Sequence, residues 1–322
     1  MKTASLALTF FMAYTLCTVD ATPAAQTQQV TALPEPGEDD QAALAKLAAL
    51  DIAYTARIDA LRTKYRTYLY DRNWEKAYET HAEIESLRDE LSAKYLLYIA
   101  EHPESAEAYN QLGLFSYDNG RPEDAAFYWK RAIELKPDFA AAHNNLGTYY
   151  GHYAQPKKAL QEHRKAVELD PTQAVFHLNL ATEYYTSRQH AMELYGWDLP
   201  KVFEEIMNEH RTARELEPHN YDYAKQYAET FYAAKYFGVE PDWDESIRGW
   251  YRCLETDLTK EDRANVYYQI ARAYLQKNDK AKAKEVLENL EPWMKTTKQF
   301  EMVWKRATAP DPTQDPRRVS GE

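Results

Sequence analysis

The chain has little of what small-molecule chemistry on a polypeptide usually needs. It carries nine Gly in 322 residues, against 26 Tyr. So few glycines argue against a Gly-rich nucleotide fold and against a β-rich fold with many tight turns. Two Cys are present, Cys17 and Cys253. There is no GxSxG, no phosphate loop, no HExxH and no CxxC, which removes the usual nucleophile, nucleotide and zinc signatures. Mean hydropathy is −0.73, so the chain is not a polytopic membrane protein. Net positive charge is missing too. The formal charge is −12, and nucleic acid is disfavoured as a partner because phosphate contacts want clustered Lys and Arg. What remains is 44% hydrophobic and 28% charged residues, enough apolar matter for a core.

The first 21 residues read as a secretory signal: Lys2, an apolar run from Ala4 to Cys17, and small residues at Val19-Asp20-Ala21. Cleavage is expected after Ala21, which removes Lys2 and Asp20 together and leaves the net charge at −12. Cys253 is then the one remaining cysteine, so no intramolecular disulfide is possible. Lipidation at Cys17 is the competing reading and the only route to membrane association; Leu16 stands where a lipoprotein signal wants a small residue. The protein is expected to be exported, periplasmic or secreted. Residues 22–40 and 307–322 are Pro-rich and polar and are expected to be disordered.

Between these ends the sequence is periodic. Leu112-Gly113, Leu146-Gly147 and Leu180-Ala181 lie 34 residues apart, and so do Pro122 and Pro156, Ala125 and Ala159, Ala132 and Ala166, and Pro137 and Pro171. Several position types sharing one period mean stacked supersecondary units. Each unit reads as two helices. Gly120 ends one, Pro122 opens the next, and Pro137 stops it. Small residues at Gly113 and Ala132 let helix backbones approach, while Tyr109 and Trp129 fill the space beside them.

On these residues the units resemble tetratricopeptide repeats, whose pattern is W-x2-L-G-x2-Y, then A-x3-F, an Ala and a closing Pro. Tyr109, Leu112, Gly113, Ala125, Trp129, Ala132 and Pro137 match in the first unit; His143, Leu146, Gly147, Tyr150, Ala159, His163, Ala166 and Pro171 match in the second. The third begins at His177, Leu180, Ala181 and Tyr184, with its second helix displaced to Ile206, His210, Ala213 and Pro218. The fourth has Tyr227, Ala228, Phe231, Ser246, Trp250 and Cys253, and the fifth Tyr267, Ile270, Ala271, Tyr274, Ala283 and Leu287. The resemblance implies an all-α fold, a right-handed α-solenoid of about five helix pairs over residues 104–292, with insertions near 188–200 and 237–244. Histidines replace aromatics at His143, His163, His177 and His210. No HxxxH or HxH pair occurs among them, so repeat packing by a flat ring is preferred to a metal site. No cofactor is implied.

Residues 41–102 precede the array as a long antiparallel helical hairpin. Leu44, Leu47, Tyr54, Ile58, Leu61, Tyr65 and Tyr68 follow a coiled-coil seam broken at Asp51. It reads as a cap over the open end of the array or as a dimerisation element. Residues 293–306, with Trp293, Phe300 and Trp304, read as a C-terminal capping helix.

The candidate site is a row of amides. Gln111, Asn145, Asn179, Gln226 and Gln269 stand just before the Leu-Gly pair or its equivalent in all five units. An amide both donates and accepts, so it can bond a peptide backbone without reading sequence. In tetratricopeptide arrays of the O-linked N-acetylglucosamine transferase type, such an asparagine ladder holds peptide, which is what the resemblance implies here. The alternative is that these amides only bond the neighbouring helix. Tyr117, Thr148, His152, Thr182, Tyr185 and Tyr232 flank them on the same face, and Asp222, Lys225, Glu229 and Arg272 give the far end mixed charge. A chaperone-type carboxylate clamp is not expected, since Leu114, Val175 and Asn179 occupy its Asn, Lys and Arg places. Tyr195 and Trp197 in the insertion 188–200 are a second candidate contact, or a lid over the third unit. These features point to a non-enzymatic scaffold binding an extended peptide or protein segment. A structural subunit of an envelope or secretion assembly, acting through hairpin and convex face, is the alternative; a glycan- or polymer-binding protein using Tyr and Trp faces is the second.

Overall fold

In the computed structural model the described residues, 40–309, form fourteen α-helices and no strand. The expected signal segment, Cys17, residues 22–39 and residues 310–322 lie outside them. The chain divides into two units after Pro171.

The first unit opens with α1 (Asp40–Tyr70) and α2 (Trp74–Glu101), an antiparallel pair. Asn73 starts α2 by accepting from the Lys76 N–H at 3.3 Å, a side-chain N-cap. Ile58, Leu61, Ile84 and Leu87 are buried together in the half of the hairpin near its turn. In the other half, Leu47, Leu50, Leu91, Tyr95, Tyr98 and Ile99 share one cluster with Ala108, Leu112 and Phe115 of α3 (Ala106–Asp118). The break in the seam has a use. The Tyr95 hydroxyl donates to Asp51 Oδ2 at 2.7 Å and Thr55 Oγ1 to Asp51 Oδ1 at 3.1 Å, so the polar residue is satisfied inside the pair. Burial pushes the Asp51 carboxyl above its ordinary value.

Two regular pairs follow, α3 with α4 (Pro122–Leu135), then α5 (Ala140–His152) with α6 (Pro156–Leu169). Pro122 and Pro156 sit in the first turn, where a missing N–H costs nothing. A Cβ on Gly113 would lie 2.5 Å from Trp129 Nε1, and one on Gly147 would lie 2.9 Å from the His163 ring. The glycines are therefore steric requirements of the two helix crossings. Trp129 is fully buried, which contributes about 3 kcal/mol of hydrophobic stabilisation. The α3–α4 turn uses Gly120 at φ 75°; one period later, the α5–α6 turn puts Ala154 at φ 54°, where an L side chain is strained.

The second unit is less regular. It contains α7 (Ala174–Thr186), α8 (Arg188–Tyr195), α9 (Leu199–Leu216), α10 (Tyr221–Thr230), α11 (Trp243–Cys253), α12 (Lys260–Gln276), α13 (Lys280–Glu288) and α14 (Lys298–Thr308). α7 pairs with α9, α10 with α11 and α12 with α13. The first insertion is a short helix, α8, not an open loop. Gly196 ends it at φ 70°, and Asp198 caps α9 by accepting from the Lys201 N–H at 2.9 Å. After α10 the chain tightens into a 3-10 turn, Phe231–Phe237, ended by Gly238. In the fourth pair, Ser246 Oγ donates to the Ala228 carbonyl at 3.0 Å and Trp250 is fully buried. α14 runs through Thr308, two residues beyond the expected boundary, and buries Val303 and Ala307 while Phe300 and Trp304 stack 5.5 Å apart. Trp293 lies outside this helix, before the 3-10 turn Met294–Thr296.

Candidate functional site

The five amides separate into two groups. Asn145 and Asn179 are 0% and 1% exposed, whereas Gln111, Gln226 and Gln269 are half-buried. Asn145 Nδ2 donates to Asn110 Oδ1 at 3.1 Å, and Asn144 Nδ2 to Asn145 Oδ1 at 3.4 Å. Adjacent repeats of the first unit are thus joined by buried side-chain amides. Asn110, itself fully buried, also accepts the Trp129 indole N–H on its backbone carbonyl at 3.3 Å. Thr148 and Thr182 are buried as well, and Thr148 Oγ1 bonds the Asn144 carbonyl at 3.2 Å. In this conformation these four groups present almost no surface to a ligand.

Two other predicted residues of the first unit do meet at the surface. The Tyr117 hydroxyl is hydrogen-bonded to His152 Nδ1, their rings stack 6.1 Å apart, and Tyr117 leans on Trp129 at 5.5 Å. Burial, then the neighbouring Tyr153 and Asp118, push the Tyr117 phenol up to about 12, and burial holds the exposed-edge His152 below its ordinary value. Gln111 precedes Tyr117 by six residues on α3.

The second unit holds the better-formed polar cluster. The Tyr232 hydroxyl donates to the Gln269 carbonyl at 3.3 Å; Arg272 Nη1 donates to Gln269 Oε1 at 2.7 Å and its guanidinium lies 5.1 Å from the Tyr232 ring. Trp243 stands edge-on to Tyr232 at 4.9 Å. Burial pushes the Tyr232 phenol up to about 12, with Arg272 opposing. Burial likewise raises the Glu229 carboxyl, against Lys225 and Arg272. Donors, an acceptor and an aromatic wall therefore come from α10, the turn after it, the start of α11, and α12. Arg272, expected as part of the mixed-charge far end, completes the cluster from three residues after Gln269, one helical turn on. Tyr185 packs on Phe237 at 5.7 Å.

Trp197 is half-buried, 5.5 Å from Tyr184 and 4.6 Å from Tyr195. The insertion's rings thus lie on their own unit.

The four histidines fall into two kinds. His163 and His210 are buried on second helices, and burial drives them down to about 3 and about 4, so they are neutral rings. His143 and His177, on first helices, contact Glu162 at 2.6 Å and Glu209 at 2.5 Å. Among the described residues no group of three His, Cys, Asp or Glu is placed to hold a metal, and no helix is long and apolar enough to cross a membrane. Cys253 is buried and donates to the Gly249 carbonyl; burial pushes its thiol up to about 12, leaving little thiolate for chemistry.

Two family models match helix pairs of this architecture. A sequence model of the tetratricopeptide repeat matches residues 106–139, which are α3 and α4, and a second matches residues 264–290, within α12 and α13. No curated protein matches the sequence. Among solved structures, YrrB, described as a TPR protein with an unusual peptide-binding site, is 21% identical with a TM-score of 0.46, over 60% of this chain and 89% of that one. PilF of Pseudomonas aeruginosa is 13% identical with a TM-score of 0.49, over 78% and 98%. A thermophilic TPR protein of Thermus thermophilus, TTC0263, is 17% identical with a TM-score of 0.39, over 63% and 98%. The chain is an all-α protein that carries tetratricopeptide repeats.

Proposed function

We propose that this chain is a non-enzymatic interaction scaffold, exported from the cytoplasm, that binds an extended peptide or protein segment on the first-helix face of a repeat unit. One observation carries the reading: Gln269, Arg272 and Tyr232 are joined in a half-buried cluster beside Glu229. A peptide backbone offers both a carbonyl and an N–H. The amide and guanidinium supply donors for the first, and the carboxylate accepts the second. Tyr232 and Trp243 supply a wall for apolar side chains. In the first unit, Tyr117 and His152 offer a second polar aromatic surface. The direct test is selection from a displayed random peptide library by the purified protein, followed by affinity measurement on the Gln269→Ala/Arg272→Ala variant. A selected peptide should lose about tenfold or more in affinity, equivalent to about 1.4 kcal/mol. Failure to select any peptide, or equal binding by the variant, removes the reading.

A second reading, a structural subunit of an envelope or secretion assembly, is favoured by the hairpin turn. Tyr70, Trp74 and Tyr78 there are 88%, 65% and 77% exposed, and aromatic anchors of this kind are typical of interface centres. Trp74→Ala/Tyr78→Ala should abolish function under this reading and leave it intact under the first.

A further inference from the structure

Away from the amide face, the second unit has a crevice of about 350 Å³ between α11 and α13, with Tyr251, Tyr267 and Tyr274 around it. That is within the range of about 300–1,000 Å³ found for small-ligand clefts. Tyr267 and Tyr274 are seven residues apart on α12 and so share a face, whereas Gln269 lies roughly 140–160° around the helix from both. The crevice is therefore distinct from the proposed peptide surface. From α13 it receives Lys282 and Glu285, one helical turn apart, and from the residue that caps this helix Asn289.

The rings are held in place. Tyr267 and Tyr274 pack both on the cluster around Trp250 and Val266 and on the cluster around Ala271 and Leu287. Tyr251, from α11, is 42% exposed; burial, then the neighbouring Tyr274 phenol, push its hydroxyl up to about 12. It stays a neutral donor and acceptor at any physiological pH. One pair earlier, the corresponding cleft has Ala224 in the register of Tyr267 and is lined by Arg214, Glu215, Arg252 and Glu255. Helix packing thus does not demand a ring in the register of Tyr267, whereas that of Tyr274 keeps an aromatic, Phe231.

The lining selects a class of ligand. Lys282 Nζ already lies 5.6 Å from the Tyr274 ring, which opposes a second cation. Glu285 opposes an anion. Val286 is the one aliphatic side chain among the lining residues, which disfavours a purely apolar group. Aromatic faces with phenol, amide, ammonium and carboxylate groups around them match a sugar ring, which has C–H faces for stacking and hydroxyls that both donate and accept. We infer that the Tyr251–Tyr267–Tyr274 crevice is a carbohydrate subsite taking a neutral pyranose of a glycan chain.

Saturation-transfer NMR on the full chain, with chitotetraose, maltotetraose and cellotetraose as probes, tests the inference. At least one probe should bind at millimolar or tighter concentration. Tyr251→Ala, at the most exposed of the three rings, should weaken it about tenfold, and Tyr251→Phe should cost much less because the ring remains. Gln269→Ala should leave sugar binding unchanged, so the crevice and the peptide surface stand or fall separately. No transfer with any of the three sugars, undiminished binding by Tyr251→Ala, or stronger transfer to tetramethylammonium or a proline-rich peptide than to any sugar would each overturn the assignment.

Discussion

The α3–α6 repeats and the α10–α12 region place an amide at the same point of the same motif and use it differently. In the regular repeats Asn145 is sealed in and bonds Asn110 of the preceding pair. In the irregular region Gln269 is half-buried and joins Arg272 and Tyr232 in a surface cluster. The longer glutamine side chain and the 3-10 turn after α10, which brings Tyr232 against α12, make the difference. Motif position alone therefore does not assign a binding role. An amide whose partners lie inside the protein is a packing device, and removing it leaves buried polar groups unpaired.

Each unit can be weakened through a buried second-helix histidine, His163 in the first and His210 in the second. The folded values of about 3 for His163 and about 4 for His210 lie below the ordinary value of 6.5. Between pH 6.5 and 4 the unfolded chain binds protons that the folded chain refuses, so stability is lost as pH falls. By pH 5 the loss is about 2 kcal/mol per histidine, or about 4 kcal/mol for both. The raised carboxyls of Asp51 and Glu229 act in the opposite direction, so the comparison is made with a variant. His163→Phe, which places a ring where the first repeat carries Trp129, should remove about 2 kcal/mol of that loss, read as a smaller difference in thermal midpoints between about pH 7 and 5.

The next effect is steric. Gly113→Ala should destabilise by about 2 kcal/mol or more, as overpacking does, because the new Cβ meets the indole at 2.5 Å. Gly147→Ala, at 2.9 Å from an imidazole, should cost less. Urea titrations of the two variants would show whether the ring or the backbone yields. The smallest effect has the opposite sign. Ala154→Gly, which copies Gly120 of the previous turn, should stabilise by about 0.5–1 kcal/mol by relieving the left-handed strain at φ 54°.

The helix pairs were legible because their packing rules are local and repeated. Leu-Gly, the second-helix Ala and the closing Pro recur at a fixed 34-residue spacing, and Gly113 against Trp129 shows why. Reading the histidines as flat packing rings rested on the same register. α8 was not legible as a helix, since eight residues, RQHAMELY, are too few for a period to declare itself. Asp51 looked like a fault in the hairpin seam because its partner, Tyr95, is 44 residues away. Which amides are buried was hidden for a related reason. Asn110 and Gln111, or Asn144 and Asn145, are neighbours about 100° apart on a helix, and the rotation of adjacent pairs decides which of them faces the next repeat.

The most direct test crosses two single variants with two readouts. Asn145→Ala and Gln269→Ala are each measured for thermal midpoint and for affinity toward a peptide selected on the wild type. Asn145→Ala should destabilise by about 1–3 kcal/mol and keep its peptide affinity, while Gln269→Ala should keep its midpoint and lose affinity. The reverse pattern, with Asn145→Ala stable but unable to bind and Gln269→Ala binding normally, would contradict the account and return the ligand to the amide ladder of the regular repeats.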